Sequence, residues 1–500
     1  MKEGSVGPDG ISTKILKQTV TLIVKPLVHT LNLSLCQGYF PTALKTARVI
    51  PIYKSGDPME MKNYRPVSVL NVLSKVFEKV MYNRLFDFFD TNNSLYKMQF
   101  GFRRLHNANI ALSYLLDKII SSLDRGDFVI GTFIDLSKAF DTVNHTILQA
   151  KLYKYGVRGC ALDWVKSYLE KRSQYVCCNS YESSMHEIRC GVPQGSILGP
   201  LLFLIYVNDI MQVSTKVMPL LYADDTNLFC SGKNISEIID TLNNELTLYM
   251  KWMQINKLTV NADKTKVIIF RKPRTKLPTN IDNILLNGKV IEKVSSMKFL
   301  GVILDENLSW LTHINNIKSK IAKGIGIICK AKPFLSSSTL LTLYNSFIQP
   351  YLLYCIEGWG STFATYMMPL WTLQKRAVRI IKSLSYRHET LSAFQELHIL
   401  NVFQLHKYFI LIFMFKLRKD MIPTIFKEFF EHANHQYQTR GNLLYRIPYC
   451  KTSFSQRSLR YVGAKLHNDF KKFEWNCSIH SFKRSIKLHL LEHDVNPNES

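Results

Sequence analysis

The sequence lacks the features by which several classes of protein are recognised. Its ten cysteines form no Cys-x-x-Cys pair and no metal-ligand spacing with histidine. This excludes a disulfide scaffold and a zinc module, and it indicates a reducing compartment. No internal repeat, low-complexity tract or signal peptide is evident, and the longest apolar stretch near the C-terminus, Tyr408–Phe415, is too short to span a bilayer. These absences predict an intracellular protein, nuclear or cytoplasmic, with no membrane partner.

Acidic residues are scarce relative to basic ones. The chain of 500 residues has 64 Lys and Arg against 38 Asp and Glu, a formal net charge of +26. The excess is densest in residues 311–500, which hold 26 basic against 11 acidic side chains. Such a balance favours a polyanionic partner bound through its phosphates, although a generally basic soluble protein has the same composition. With 46% hydrophobic residues, a chain of this length can bury more than one core.

One tetrapeptide, Tyr222-Ala223-Asp224-Asp225, lies between two apolar runs. The pattern predicts a buried strand, a two-residue turn and a second strand, with both carboxylates in one small volume. Two carboxylates ~4 Å apart repel by roughly 4 kcal/mol at an effective dielectric of ~20. They therefore need a cation or a proton, and Mg²⁺ prefers such hard oxygen ligands. An exposed hairpin whose Asp residues only form the turn is the alternative, so the tetrapeptide needs partners elsewhere.

Two further segments supply those partners. Val129–Ile134 is a β-branched and aromatic run that predicts a core strand ending at Asp135, which adds a third carboxylate. Three carboxylates suit a two-cation site for in-line displacement at phosphorus. Gly191–Pro200 contains three glycines and two prolines and predicts a shaped loop that leads into a helix. Within it, Gln194 can both donate and accept hydrogen bonds.

The order of these three segments resembles the palm motifs of reverse transcriptases, in the variant of non-LTR (LINE-type), jockey-like retrotransposons. The resemblance covers roughly residues 1–390. The chain departs from it at His106–Ala108, where related elements carry His-Ser-Thr. Further matching blocks occur in the same order: Gly7–Ile11, Ile50–Lys54, Asn63–Ser68, Gln99–Arg103, Leu258–Asn261 with Lys264 and Thr265, and Phe299–Val302.

The resemblance implies a set of catalytic residues. Asp135 and Asp224 correspond to direct metal ligands, and Asp225 to a more peripheral one. Lys264 corresponds to a general acid for the pyrophosphate leaving group, which requires hydrogen-bond reach. The implied cofactor is a pair of Mg²⁺ ions, for which Mn²⁺ can substitute.

The resemblance also implies binding residues. Lys54 and Arg65 correspond to positions that hold the incoming triphosphate, as a point charge and a planar fork. Phe140 corresponds to the ring that excludes a ribose 2′-OH, and Gln194 to a residue beside the nucleotide and template. Considered without their motifs, Lys54 and Arg65 are also typical of solvated surface charges, and Phe140 is typical of a plain core residue. The primer grip corresponds to Phe299, Leu300 and Gly301, and contacts with the nucleic-acid backbone are assigned to Lys318, Lys375, Arg376 and Arg379.

The expected fold class is α+β, a right-hand polymerase with an antiparallel palm sheet and a mainly helical C-terminal region. The expected parts are an N-terminal extension with fingers (1–125), a palm (126–310) with a fingers-like insertion at about 145–190, a thumb (311–395) and a helical, basic region of unassigned role (396–500). The chain resembles the C-terminal part of a longer ORF2-type polyprotein without its endonuclease.

The expected function is RNA-directed DNA polymerisation on an RNA template, with a DNA primer and dNTPs. Three alternatives stand beside it: a viral-type RNA-dependent RNA polymerase, a maturase or telomerase-like polymerase, and a catalytically decayed or domesticated copy that only binds RNA.

Overall fold

The structure, a computed structural model, describes residues 6–179, 181–278, 281–432 and 444–493. Part of the predicted C-terminal region, 433–443 and 494–500, lies outside the described residues. The helices are α1 (Thr13–Gln37), α2 (Val72–Thr91), α3 (Ala108–Arg125), α4 (His145–Lys154), α5 (Cys160–Leu169), α6 (Gly199–Val207), α7 (Ile235–Ile255), α8 (Leu311–Ala331), α9 (Ser337–Phe347), α10 (Gln349–Leu353), α11 (Ile356–Trp359), α12 (Ala364–Ile381), α13 (Leu391–Glu396), α14 (Val402–Arg418), α15 (Leu459–Asp469) and α16 (Ile479–His493).

The strands are mostly short and fall between residues 46 and 305. They are β1 (Thr46–Tyr53), β2 (Tyr64–Leu70), β3 (Phe128–Leu136), β4 (Arg172–Cys178), β5 (Tyr181–Glu182), β6 (His186–Ile188), β7 (Met218–Tyr222), β8 (Asp225–Gly232), β9 (Val260–Phe270), β10 (Leu285–Leu286), β11 (Lys289–Val290), β12 (Glu292–Lys293), β13 (Ser296–Phe299) and β14 (Val302–Asp305).

The central sheet has the strand order β12-β9-β3-β8-β7. Its middle strand, β3, pairs antiparallel with both β8 and β9, and β7 and β8 form an antiparallel hairpin. Side chains alternate across β3, so Val129 and Phe133 join one hydrophobic core, and Ile130 and Ile134 join a second. Because β3 is buried on both faces, its sequence is continuously apolar. The predicted α+β class with an antiparallel palm sheet is confirmed.

A second sheet forms from segments far apart in the chain. β1 and β2 make an antiparallel hairpin, and β4 pairs parallel to β1. β5 and β6 then pair with β4. Residues within 145–190 therefore extend a sheet that begins at residue 46.

Helix α1 is largely exposed to solvent. Ser12 caps its start by accepting a hydrogen bond from the Ile15 N–H, and Gly38 ends it in a left-handed conformation (φ 66°). Among the described helices, it is the one that is long and apolar enough to cross a membrane, by length and composition alone.

Helix α3 begins where the chain departs from related elements. The Asn107 side chain accepts a hydrogen bond from the Ile110 N–H at 3.0 Å and so caps the helix. Asn is as good an N-cap as Ser, and the departure therefore leaves the start of the helix intact.

The helices after residue 311 share one hydrophobic core with α3 and one face of the central sheet. Tyr114 of α3 stacks on Phe429, with ring centroids 5.3 Å apart. The carboxylate of Asp117, also in α3, is fully buried and forms an ion pair with Arg460 at the start of α15. The C-terminal helices are thus packed onto the rest of the molecule and not attached by a linker.

Candidate active site

The hairpin of β7 and β8 carries the paired acidic residues at its tip. Tyr222 pairs with Asp225, which leaves Ala223 and Asp224 as the two-residue turn. The structure therefore contains the predicted strand, turn and strand. Ala223 has φ 58°, a left-handed conformation that is uncommon for a residue other than glycine.

Strand β3 brings the third carboxylate to this tip. Ile134 pairs with Thr226 across β3 and β8, so the next position, Asp135, lies beside Asp225. The side chain of Asp225 is solvent-exposed. Even so, desolvation by the surrounding protein, followed by the charges of Asp224 and Asp135, raises its pKa to about 6. The fields of both other carboxylates therefore reach Asp225.

Lys264 lies at the same place. It belongs to β9, in which Asn261 pairs with Asp135. Its Nζ atom is 4.0 Å from Oδ2 of Asp135, and both side chains are substantially exposed. Because this is a long, solvated ion pair, it holds the ammonium group only weakly in place.

The acidic residues form an open site. Within the described parts of the chain, no group of three or more His, Cys, Asp or Glu side chains is arranged as a ready-made metal cluster. Mg²⁺ does not need one, because it retains several waters and takes phosphate oxygens as ligands. Hard oxygen donors with unrelieved mutual repulsion at Asp225 fit a divalent cation of this kind.

The Gly191–Pro200 loop is held between the turn after β3 and the strand β2. Nε2 of Gln194 donates a hydrogen bond to Oδ1 of Asp141 at 2.9 Å, and the Gln194 carbonyl accepts from the Ser68 N–H at 2.7 Å. Burial raises the pKa of Asp141, and the Gln194 hydrogen bond opposes that rise. At Gly195 (φ 129°) a Cβ atom would lie 2.4 Å from the Ser68 carbonyl oxygen, so only glycine fits.

A buried acid, Glu78 of α2, was not predicted. Its carboxylate accepts hydrogen bonds from the N–H groups of Ile197 (2.6 Å) and Leu198 (3.2 Å) and from the Ser74 hydroxyl. These two amides immediately precede α6, whose N-cap residue, Leu198, has no side-chain cap. Burial raises the pKa of Glu78, and the positive charge of Arg172 opposes this rise. The only signal in the sequence for this contact is a Glu at a position of α2 that faces the core.

Phe140 lies in the short turn Ala139–Thr142 after β3. Its ring stacks on Phe203 of α6 with centroids 4.6 Å apart, and it meets the edge of Phe102 at 6.0 Å. The ring is half-buried and is held on two sides, as a group that limits the shape of a neighbouring ligand has to be.

The two predicted phosphate-binding cations lie on the β1–β2 hairpin. Arg65 pairs with Ile52, and Lys54 is two residues beyond Ile52, so both side chains belong to the same face. Both are exposed, and no ion pair or side-chain hydrogen bond engages either one in the described part of the chain. They are not in contact with the carboxylates.

The predicted primer grip is the turn of the β13–β14 hairpin, where Leu300 (φ 43°) and Gly301 (φ 86°) are left-handed. Phe299 is buried, and its ring packs 5.6 Å from that of Phe133, two residues before Asp135. Tyr354 was not predicted here. Its hydroxyl donates to the Leu300 carbonyl at 2.7 Å, which ties the turn to the helices that follow.

The predicted backbone-contacting cations lie on α8 and α12. Nζ of Lys375 is 4.0 Å from the centroid of the Trp371 ring, and burial together with the charge of Arg379 lowers the pKa of Lys375. Nε of Arg379 donates to the His388 carbonyl at 3.0 Å. Lys318 and Arg376 are exposed.

The chain was compared with known proteins. Residues 52–304 match the family model described as reverse transcriptase (RNA-dependent DNA polymerase). The chain is 30% identical over 387 residues to the RNA-directed DNA polymerase from mobile element jockey of Drosophila melanogaster, covering 75% of this chain and 42% of that protein. It is 29% identical to the jockey polymerase of Drosophila funebris, with the same coverage. It thus spans less than half the length of these relatives.

Among solved structures, telomerase from Candida albicans in complex with the TWJ fragment of telomeric RNA aligns with 72% of this chain and 65% of that one, with a TM-score of 0.37 and 14% identity. This likeness is too distant to carry an argument. The family model, in contrast, covers about half of the chain and includes the three carboxylates and Lys264. The resemblance predicted from the palm motifs is confirmed, and the chain belongs to the reverse transcriptase family.

Proposed function

We propose that this chain is an RNA-directed DNA polymerase that extends a DNA primer on an RNA template. The reaction is attack of the primer 3′-OH on the α-phosphorus of a dNTP, with release of pyrophosphate. The observation that carries the proposal is the strand pairing that brings Asp135, at the end of β3, beside Asp225 and the hairpin turn that contains Asp224. The charges of Asp224 and Asp135 both raise the pKa of Asp225.

Reverse transcriptases depend on divalent metal ions. Asp135 and Asp224 would hold two Mg²⁺ ions, with Asp225 more peripheral, and Mn²⁺ would fit the same oxygen ligands. When bound, the ions activate the attacking oxygen and neutralise charge on the leaving oxygen. The contribution of the protein is to position the reactants. Groups that are already oriented lose little further translational and rotational entropy when they react.

Five further residues would bind or position the nucleotide. Lys54 and Arg65, on one face of the fingers hairpin, would hold the triphosphate, and Gln194 would pack beside the base. Phe140, held by Phe203, would exclude a 2′-OH by shape. Lys264, beside Asp135, is suited to give a proton to the leaving pyrophosphate.

The remaining assignments concern the nucleic acid. The turn Phe299–Gly301 would support the primer end. The basic helices of residues 311–395 would form a thumb along the duplex, through Lys318, Lys375, Arg376 and Arg379. Residues 1–125 would form the N-terminal extension and fingers, and 126–310 the palm. We assign no chemistry to residues 396–500, and we expect the protein to act in the nucleus or cytoplasm.

Primer extension on poly(A)/oligo(dT) tests this function. The wild type should incorporate dTTP only when Mg²⁺ or Mn²⁺ is present. Asp224→Asn should lose at least ~4 kcal/mol of transition-state stabilisation, roughly 10³-fold in rate. Asp240→Asn, which removes an exposed carboxylate from α7, is the matched control and should retain full activity. An Asp224→Asn rate within tenfold of the wild type would contradict the assigned role.

A further inference from the structure

The block Gln99–Arg103, to which the motif comparison assigns no task, packs directly against the acidic hairpin. The Phe100 N–H donates to the Leu221 carbonyl at 2.8 Å, and the Leu221 N–H donates to the Met98 carbonyl at 2.9 Å. The segment therefore pairs with the edge strand β7 through a short parallel bridge between Gln99 and Leu221. It ends beneath the turn that carries Asp224.

The side chain of Gln99 is buried, with 3% of its surface exposed, and its amide makes three hydrogen bonds to the backbone of Ala223 and Gly101. Oε1 accepts hydrogen bonds from the Ala223 N–H at 3.1 Å and from the Gly101 N–H at 2.8 Å. Nε2 lies 3.4 Å from the Ala223 carbonyl oxygen, to which it donates. One side chain thus binds both backbone groups of Ala223.

The residue that Gln99 holds is the strained member of the turn. Ala223 is left-handed and buried, a conformation that an L-residue keeps only when its surroundings impose it. Gly101 closes the other side, since a Cβ atom there would lie 2.2 Å from the Ala223 nitrogen. The direction in which Asp224 leaves the turn is set by the conformation of this preceding residue.

The same block reaches a second part of the site. Phe102 has φ 53°, and its ring packs edge-to-face with that of Phe140. The four residues Gln99–Phe102 therefore contact the turn before Asp224, through Gln99, and the ring of Phe140, through Phe102.

We propose that Gln99 is a positioning residue: its amide holds Ala223 left-handed and so aims the Asp224 carboxylate for divalent-cation binding. The inference rests on the proposed function of Asp224 but concerns cation affinity and not turnover. Gln99 itself touches neither substrate nor cation.

The test uses Gln99→Met, which has a similar length and no amide, and Gln254→Met, an exposed control on α7. Mn²⁺ binding is measured by EPR without nucleic acid or dNTP, and the Mg²⁺ concentration for half-maximal primer extension is measured separately. Losing these hydrogen bonds should weaken Mn²⁺ binding and raise the half-maximal Mg²⁺ concentration by about tenfold. The Kd for an RNA–DNA duplex without metal should stay within about twofold, because phosphate contacts dominate that affinity.

Unchanged Mn²⁺ affinity in Gln99→Met would overturn the proposal, and so would an equal loss of duplex binding, which would indicate a general structural role. If Gln99→Met does not fold, Gln99→Glu decides the matter, because it keeps both acceptor bonds and loses the donor to Ala223. Its Mn²⁺ affinity should be lower than that of the wild type in the metal-binding assay, and wild-type affinity would refute the role of the donor. A wild type that binds Mn²⁺ but extends no primer would refute the polymerase function and leave the role of Gln99 standing.

Discussion

Removal of the Asp225 charge should stabilise the metal-free protein. The pKa of Asp225 rises from 3.8 to about 6 because burial, Asp224 and Asp135 all disfavour its ionised form. A rise of about two units corresponds to about 3 kcal/mol. Since the side chain is solvent-exposed, screening reduces this to about 1 kcal/mol. Asp225→Asn should therefore be about 1 kcal/mol more stable than the wild type at pH 8.

The pH dependence has a definite sign. The folded-state pKa lies above the unfolded-state value, so the ionised carboxylate reduces stability above pH ~6. As the pH falls from about 6 toward 4, Asp225 takes up a proton in the folded state before it does so in the unfolded state. The difference in unfolding free energy between Asp225→Asn and the wild type should therefore disappear. Millimolar Mg²⁺ at pH 8 should narrow the difference as well, because a bound cation relieves the repulsion.

Thermal melting without metal, at pH 8 and at pH 4.5, measures this directly. Asp225→Asn should melt about 1–2 °C higher than the wild type at pH 8, and Asp240→Asn should match the wild type at both values. If Asp225→Asn is no more stable than the wild type at pH 8, the carboxylates do not repel one another as the geometry requires.

Two further predictions concern groups that flank the carboxylates. Phe140→Ala should raise rNTP incorporation relative to dNTP by about tenfold or more, because a cavity replaces the ring beside the ribose; an unchanged ratio in primer extension would argue against exclusion by shape. Glu78→Ala should cost about 3 kcal/mol of folding stability, because it leaves the N–H groups of Ile197 and Leu198, just before α6, without an acceptor. Chemical denaturation measures this loss, and a variant within about 0.5 kcal/mol of the wild type would show that water replaces the carboxylate.

Local pattern was enough to predict the elements that carry the acidic residues. β3 is buried on both faces, and the hairpin of β7 and β8 is short and apolar, so both leave a clear signal in the sequence. β9 leaves a weaker signal: only its second half, Val267–Phe270, is continuously apolar, whereas the strand begins at Val260. The first half of β9 is polar because it lies beside the carboxylates. This half is extended only because it pairs with β3.

Local sequence patterns could not predict the residues that hold the loops and turns of the site in place. Gln99 meets Ala223 across 124 residues, Glu78 meets Ile197 across 119, and Tyr354 meets Leu300 across 54. No periodicity links such pairs, because each contact exists only after the palm sheet and the later helices have packed. A buried Glu or Gln in an apolar context signals that a polar partner exists, but not which backbone group it is.

The hydrophobic core that α3 shares with the last helices bears on how the protein can be produced. Tyr114 lies flat against Phe429, and Asp117 is neutralised by Arg460. A recombinant fragment cut after residue 395 would expose the aromatic face of α3 to water and leave a carboxylate without its counter-ion. Boundaries drawn around the catalytic motifs alone would therefore yield aggregated material.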